Sequence, residues 1–169
     1  MVEVDRLYES KFKFTGIFDF KQFYNFVYSW LRDYRYQLIQ ETGYSEKIKP
    51  EGKEVEIHWV ARRKISDYFR FMLKLDWLIL GMTTVEVKKG DVTIKMNKAQ
   101  IEVKITAYIE KDYEHRWENN PTSKFMRGLY DRYVIRSRIE SYEDKIMMEV
   151  DELVAQAKSY LAIEGVVGA

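Results

Sequence analysis

Polar and apolar residues alternate from Tyr8 to Phe14, with Tyr8, Ser10, Phe12 and Phe14 on one side and Glu9, Lys11 and Lys13 on the other. That period of two predicts a half-buried strand, closed by Gly16. Asp19 opens a helix, with Gln22 placed for a capping box and Phe18 and Phe23 for a hydrophobic staple. The helix is expected to run to about Glu41 and to stop at Gly43. Phe23, Val27, Trp30, Tyr34 and Leu38 recur at helical spacing as its core stripe. Phe20, Tyr24, Phe26, Tyr28 and Leu31 widen the apolar surface, so this helix is expected to be covered on more than one side.

Strands dominate after a loop at Lys49-Pro50-Glu51-Gly52. Val55, Ile57, Trp59 and Ala61 alternate with Glu54, Glu56, His58 and Val60. Ser66-Asp67 reads as a turn. Phe69, Phe71, Leu73, Leu75, Trp77 and Ile79 would line one face of a strand from Tyr68 to Leu80, although Phe69, Met72, Leu73 and Asp76 also fit a helix. Gly81 lets that strand bend. Lys88-Lys89-Gly90-Asp91 predicts a hairpin turn between Thr83–Val87 and Val92–Met96. Ile101, Val103, Ile105, Ala107 and Ile109 form the inward side of the last strand.

From Pro121, a good first-turn residue, the pattern turns helical to about Ile163. Ile135, Ile139, Tyr142, Ile146, Val150, Leu153, Ala157 and Tyr160 form a heptad-like stripe. Phe125, Met126, Leu129, Tyr130 and Tyr133 point elsewhere on an ideal helix. The helix over 121–163 is therefore expected to kink near 133–135, or to bury its two halves against different things. Unbroken, it would span about 60 Å, so part of it is expected to protrude.

Composition then removes whole classes of function. With no cysteine, disulfides, thiolate zinc sites and cysteine nucleophiles are excluded. Phosphate-binding glycine loops, paired metalloprotease histidines and nucleophile elbows are absent. The N-terminus lacks an apolar signal core, and the longest apolar run, Trp77 to Met82, falls short of a membrane span. A cytoplasmic protein of one domain, residues 1–169, is expected. Abundant Lys, Glu, Ile and Tyr with few Asn and Gln lean toward a thermophilic host.

Strand, helix, antiparallel strands and a long C-terminal helix: in this order of elements the chain resembles the START-like, helix-grip superfamily. The resemblance covers most of the chain and rests on element order alone. It implies an α+β fold in which a curved antiparallel sheet wraps around the C-terminal helix, with an apolar ligand cavity between them. Here one long first helix stands where the superfamily has two short ones, and the last helix is longer, so both helices could fill that cavity.

Charge carries the sharpest functional signal. The chain nets only +1. Yet Lys124, Arg127, Arg132, Arg136 and Arg138 against Asp131 leave +4 over residues 124–138. Glu140, Glu143, Asp144, Glu149, Asp151, Glu152 and Glu164 against Lys145 and Lys158 leave −5 over residues 139–164. A helix dipole favours the reverse order.

Two partners would account for it. Arg127, Arg132, Arg136 and Arg138, with Tyr130 and Tyr133 interleaved and Arg62, Arg63 and Lys64 extending the patch, suit RNA, because guanidinium grips phosphate and tyrosine stacks on bases. Alternatively, two copies pair antiparallel through Ile139, Tyr142, Ile146, Val150, Leu153 and Ala157, each basic half on the other's acidic half. The apolar stripe packing on its own sheet, with the charges simply solvated, would account for the pattern too.

The leading expectation is a non-catalytic, homodimeric binding factor that docks on structured RNA or a ribonucleoprotein such as a ribosomal subunit, with no cofactor and no metal. The alternative is a helix-grip carrier or sensor of a small apolar ligand, walled by Phe23, Trp30, Phe71 and Trp77. Least favoured is an enzyme using His58 or Asp76. Glu114, His115 and Glu118 could meet a metal, but such a trio in a loop is common by chance.

Overall fold

The computed structural model describes residues 2–114, 121–130, 132–133 and 136–167. Among them run β1 (Glu3–Phe18), α1 (Phe20–Asp33), β2 (Leu38–Lys49), β3 (Gly52–Lys64), β4 (Phe69–Lys89), β5 (Val92–Lys111), α2 (Pro121–Tyr130) and α3 (Arg136–Val167). The architecture is α+β. One curved antiparallel sheet has the order β1-β5-β4-β3-β2, so the first strand lies beside the last. The long α3 lies mainly on β1 and also touches β5 and α1.

The alternation decides which face each strand buries. Val55, Ile57, Trp59 and Ala61 of β3, Phe69 to Ile79 of β4 at every second position, and Ile101 to Ile109 of β5 are all buried. They meet Phe23, Val27, Trp30 and Leu31 of α1 and Ile146, Val150, Leu153, Ala157 and Leu161 of α3 in one core. At roughly 25 cal/mol per Å² of apolar surface, each of the larger side chains contributes about 1.5–3 kcal/mol. The strand reading of Tyr68 to Leu80 therefore holds over the helical one.

The first helix is shorter than expected. It starts as predicted, with the Asp19 side chain accepting from the Gln22 amide at 3.1 Å. It ends at Asp33, and Leu38 to Glu41, read as its last turn, belong to β2. The chain leaves the helix at Arg35, at φ 66°. Its amide donates to the Arg32 carbonyl, and the Tyr36 amide to the Leu31 carbonyl, both at 3.0 Å. That is a Schellman cap with the buried pair Leu31 and Tyr36 as its hydrophobic contact. An arginine in the place that glycine usually takes gave the sequence no punctuation. Gly43 lies instead in β2, where the register shifts between Glu41 and Gly43.

The hairpin segments are also longer than expected. Thr83–Val87 continues β4 without a break, and Val92–Met96 runs on into β5. Gly81, at φ 64°, sits where the register with β5 shifts between Leu80 and Thr83. A Cβ on the facing Gly52 would stand 2.7 Å from the Gly81 carbonyl carbon, so the β2–β3 turn approaches β4 only through glycine. The β3 pairing ends at Met82 and the β1 pairing at Asn97, leaving the rest of β4 and β5 as a two-stranded ribbon.

Toward the C-terminus the described residues form α2 and α3, which differ in what they bury, and residues 134–135, where a kink was expected, lie outside the described residues. Arg127 is the buried residue of α2. No helix among the described residues is long and apolar enough to cross a membrane.

Candidate nucleic-acid interface

Most of the candidate cations are engaged inside the molecule. Arg63 falls on the inward parity of β3, two positions beyond Ala61. Its guanidinium donates to the Tyr34 carbonyl at 2.8 Å and to both oxygens of Glu149 at 3.0 and 2.8 Å. It also lies over the Tyr36 and Phe71 rings. Arg62 and Arg70, on the outer face, both donate to the buried Glu110. Lys64 is 3.1 Å from Asp67 and 3.6 Å from Glu114. Arg127 is buried beside Glu3 and Asp112. Arg62 and Arg63 of the β3 trio are thus engaged by internal carboxylates, while Lys64 is exposed. The alternation already placed Arg63 on the buried face, and that signal was there to be read.

The acidic half of α3 is partly engaged as well. Besides Glu149, Asp151 accepts from the Tyr8 hydroxyl and Glu152 from the Tyr34 hydroxyl, each at 2.5 Å. The Glu152 bond, then burial, pushes the Tyr34 pKa up to about 12. These three acids hold α3 to the sheet and to the end of α1. Their order along the helix follows from internal partners and needs no second chain.

The apolar stripe faces inward too. Ile146, Val150, Leu153 and Ala157 are buried in the core, and Ile139 and Tyr142 pack at its edge. Tyr142 meets the Phe69 and Phe71 rings edge-on at 5.3 and 5.9 Å. These six side chains cover this chain's own sheet, so they do not form an exposed seam for a second copy.

Basic and apolar side chains remain exposed along α2, at residues 132–133 and at the start of α3, where Arg136 and Arg138, two residues apart, point to nearly opposite sides of the helix. Arg132, Arg136 and Arg138 are exposed, as is Lys124. Arg136 approaches Glu140 only at 3.9 Å. Tyr133 is 75% exposed, while Tyr130 leans edge-on against Tyr68 at 6.0 Å. Beside them Phe125, Met126 and Leu129 are 66, 51 and 40% exposed. Those three were visible in the sequence as the residues that left the α3 stripe, but nothing in the pattern said that they faced water.

The other candidate sites have plain geometries. His58 and Asp76, opposite each other on β3 and β4, bond through Nδ1 and Oδ1 at 2.7 Å on the outer face. They edge a depression of about 230 Å³ shared with Glu56, Leu78, Glu102 and Lys104. Glu102 is 3.1 Å from Lys13 and 3.6 Å from Lys11. Asp76 thus continues a polar surface. His115 and Glu118 lie outside the described residues. Among the described residues, no group of three or more His, Asp or Glu side chains could hold a metal ion. The four expected cavity walls, Phe23, Trp30, Phe71 and Trp77, are buried among other rings. Phe23 meets Trp77 at 5.7 Å, and Trp30 stacks on Tyr34 at 4.0 Å.

No protein-family profile, curated protein or solved structure matches the chain.

Proposed function

We propose that this protein is a non-catalytic docking factor that binds structured RNA within a ribonucleoprotein, such as a ribosomal subunit, through the junction of α2 and α3. One observation carries the reading. Arg62, Arg63 and Arg127 are tied into the fold and Lys64 pairs with Asp67 at the surface, whereas Arg132, Arg136 and Arg138 stand exposed, with an exposed Tyr133 between the first two in sequence. Guanidinium binds phosphate in charge-assisted, often bidentate pairs. A tyrosine ring stacks on an unpaired base with about 1–3 kcal/mol. The fold assignment that goes with this reading is a reduced helix grip. β1 beside the last strand and a long helix against the sheet support it. Such a factor works in the cytoplasm.

The test is binding of the purified chain to naked structured RNA and to ribosomal subunits at low and high salt. The reading predicts binding at low salt that weakens steeply as salt rises, because displaced counterions drive it. Absence of binding to either at low salt overturns it.

A further inference from the structure

We propose that a second copy of the chain covers the apolar patch of α2, which packs on the exposed Met147 and Met148 of α3 in the other copy. Both patches are unusual for a surface that stays in water. Phe125 and Met126 are more than half exposed, Met148 is 71% exposed and Met147 37%. Contiguous exposed apolar side chains mark contact surfaces, and methionine adapts to an irregular partner.

Their flanks carry opposite charge. Exposed Lys124 and Arg132 border the α2 patch, and exposed Glu140, Glu143 and Asp144, with Lys145 beside them, leave the border of the α3 patch net acidic. These acids precede the three that hold α3 to the sheet. Packing α2 on α2 would oppose cations, and packing α3 on α3 would oppose acids. Packing α2 on α3 pairs opposite charges at both contacts. Since each copy carries both patches, a two-fold axis closes the assembly at two chains. This interface uses the outward side of α3 and leaves the buried stripe in the core. The patch residues Phe125, Met126, Leu129, Met147 and Met148 are not the arginines of the RNA reading, and of the flanking charges only Arg132 serves both, so the tests below leave Arg132 in place.

Light scattering on the full chain tests it. A dimer has twice the 20.4 kDa chain mass at micromolar concentration. Phe125→Ser with Leu129→Ser should halve the observed mass while the circular dichroism melt stays cooperative, since both side chains face water. Lys124→Glu and Asp144→Lys should each weaken the dimer at least about tenfold. The two changes together in one chain should restore it, an outcome that general loss of surface charge cannot produce. A wild-type mass of one chain overturns the proposal, whether or not RNA or anionic vesicles then bind the patch. So does a dimer indifferent to all four changes. Loss of RNA binding with the dimer intact overturns only the RNA reading.

Discussion

Arg35 sits at φ 66°, in the left-handed region, to turn the chain from α1 into β2. A side chain there costs about 1–2 kcal/mol relative to glycine, offset in part by glycine's greater freedom when unfolded. The Arg35 side chain is exposed. Arg35→Gly should therefore raise stability by up to about 1 kcal/mol, and Arg35→Val should lower it, both read from urea midpoints. At the same scale, two half-buried tyrosines bonded to carboxylates hold their protons. Burial and the bond to Glu41 push Tyr24 up to about 12, and the Glu152 bond does the same for Tyr34. A tyrosine whose folded pKa exceeds its unfolded value contributes stability that is whole below the unfolded value. That contribution is lost as pH rises from 10.0 toward about 12. Urea midpoints should fall across that window, and less so in a Tyr24→Phe, Tyr34→Phe variant. A midpoint that does not move contradicts the assignment.

Three side-chain clamps fix α3 against the rest of the molecule: Arg63 on Glu149, Tyr8 on Asp151 and Tyr34 on Glu152. Arg63 is the strongest, since both partners are largely buried and its guanidinium also lies over two rings. Arg63→Ala leaves Glu149 without its cation and should cost about 3 kcal/mol, whereas Arg63→Met with Glu149→Leu should recover most of that loss. Additive single-variant costs in a double-mutant cycle would show that the clamp does not couple α3 to β3. The elements themselves were largely legible. Strict alternation gave β3, β4 and β5 their inward faces, and Asp19 gave α1 its start. The end of α1 was not legible, because Arg35 carries no helix-stop signal and Leu38 continued the helical stripe by coincidence. The stripe of α3 was legible as a stripe but not in its direction, since an apolar face that covers its own sheet and one that covers a second chain have the same period.

At the scale of the whole molecule, the two charged blocks come apart on folding. Arg127 goes inward on the basic side, and Glu149, Asp151 and Glu152 find partners on the acidic side. Arg132, Arg136 and Arg138 stay at the surface near one end of α3, beside the apolar ridge of α2. Charge counting found the block but could not sort its members. Sorting needs the contacts of Arg127 with Glu3 and Asp112, which are tertiary facts, whereas the inward parity of Arg63 on β3 was legible in the alternation. The central claim is that the exposed arginines meet phosphate. Equilibrium binding of structured RNA over a salt series, for the wild type and for Arg132→Glu, Arg136→Glu, Arg138→Glu together, tests it most directly. The account predicts that the triple variant binds at least about tenfold more weakly, with a salt slope shallower by about 2, as expected for three lost phosphate contacts. Equal affinity and equal slope in the two proteins would contradict it.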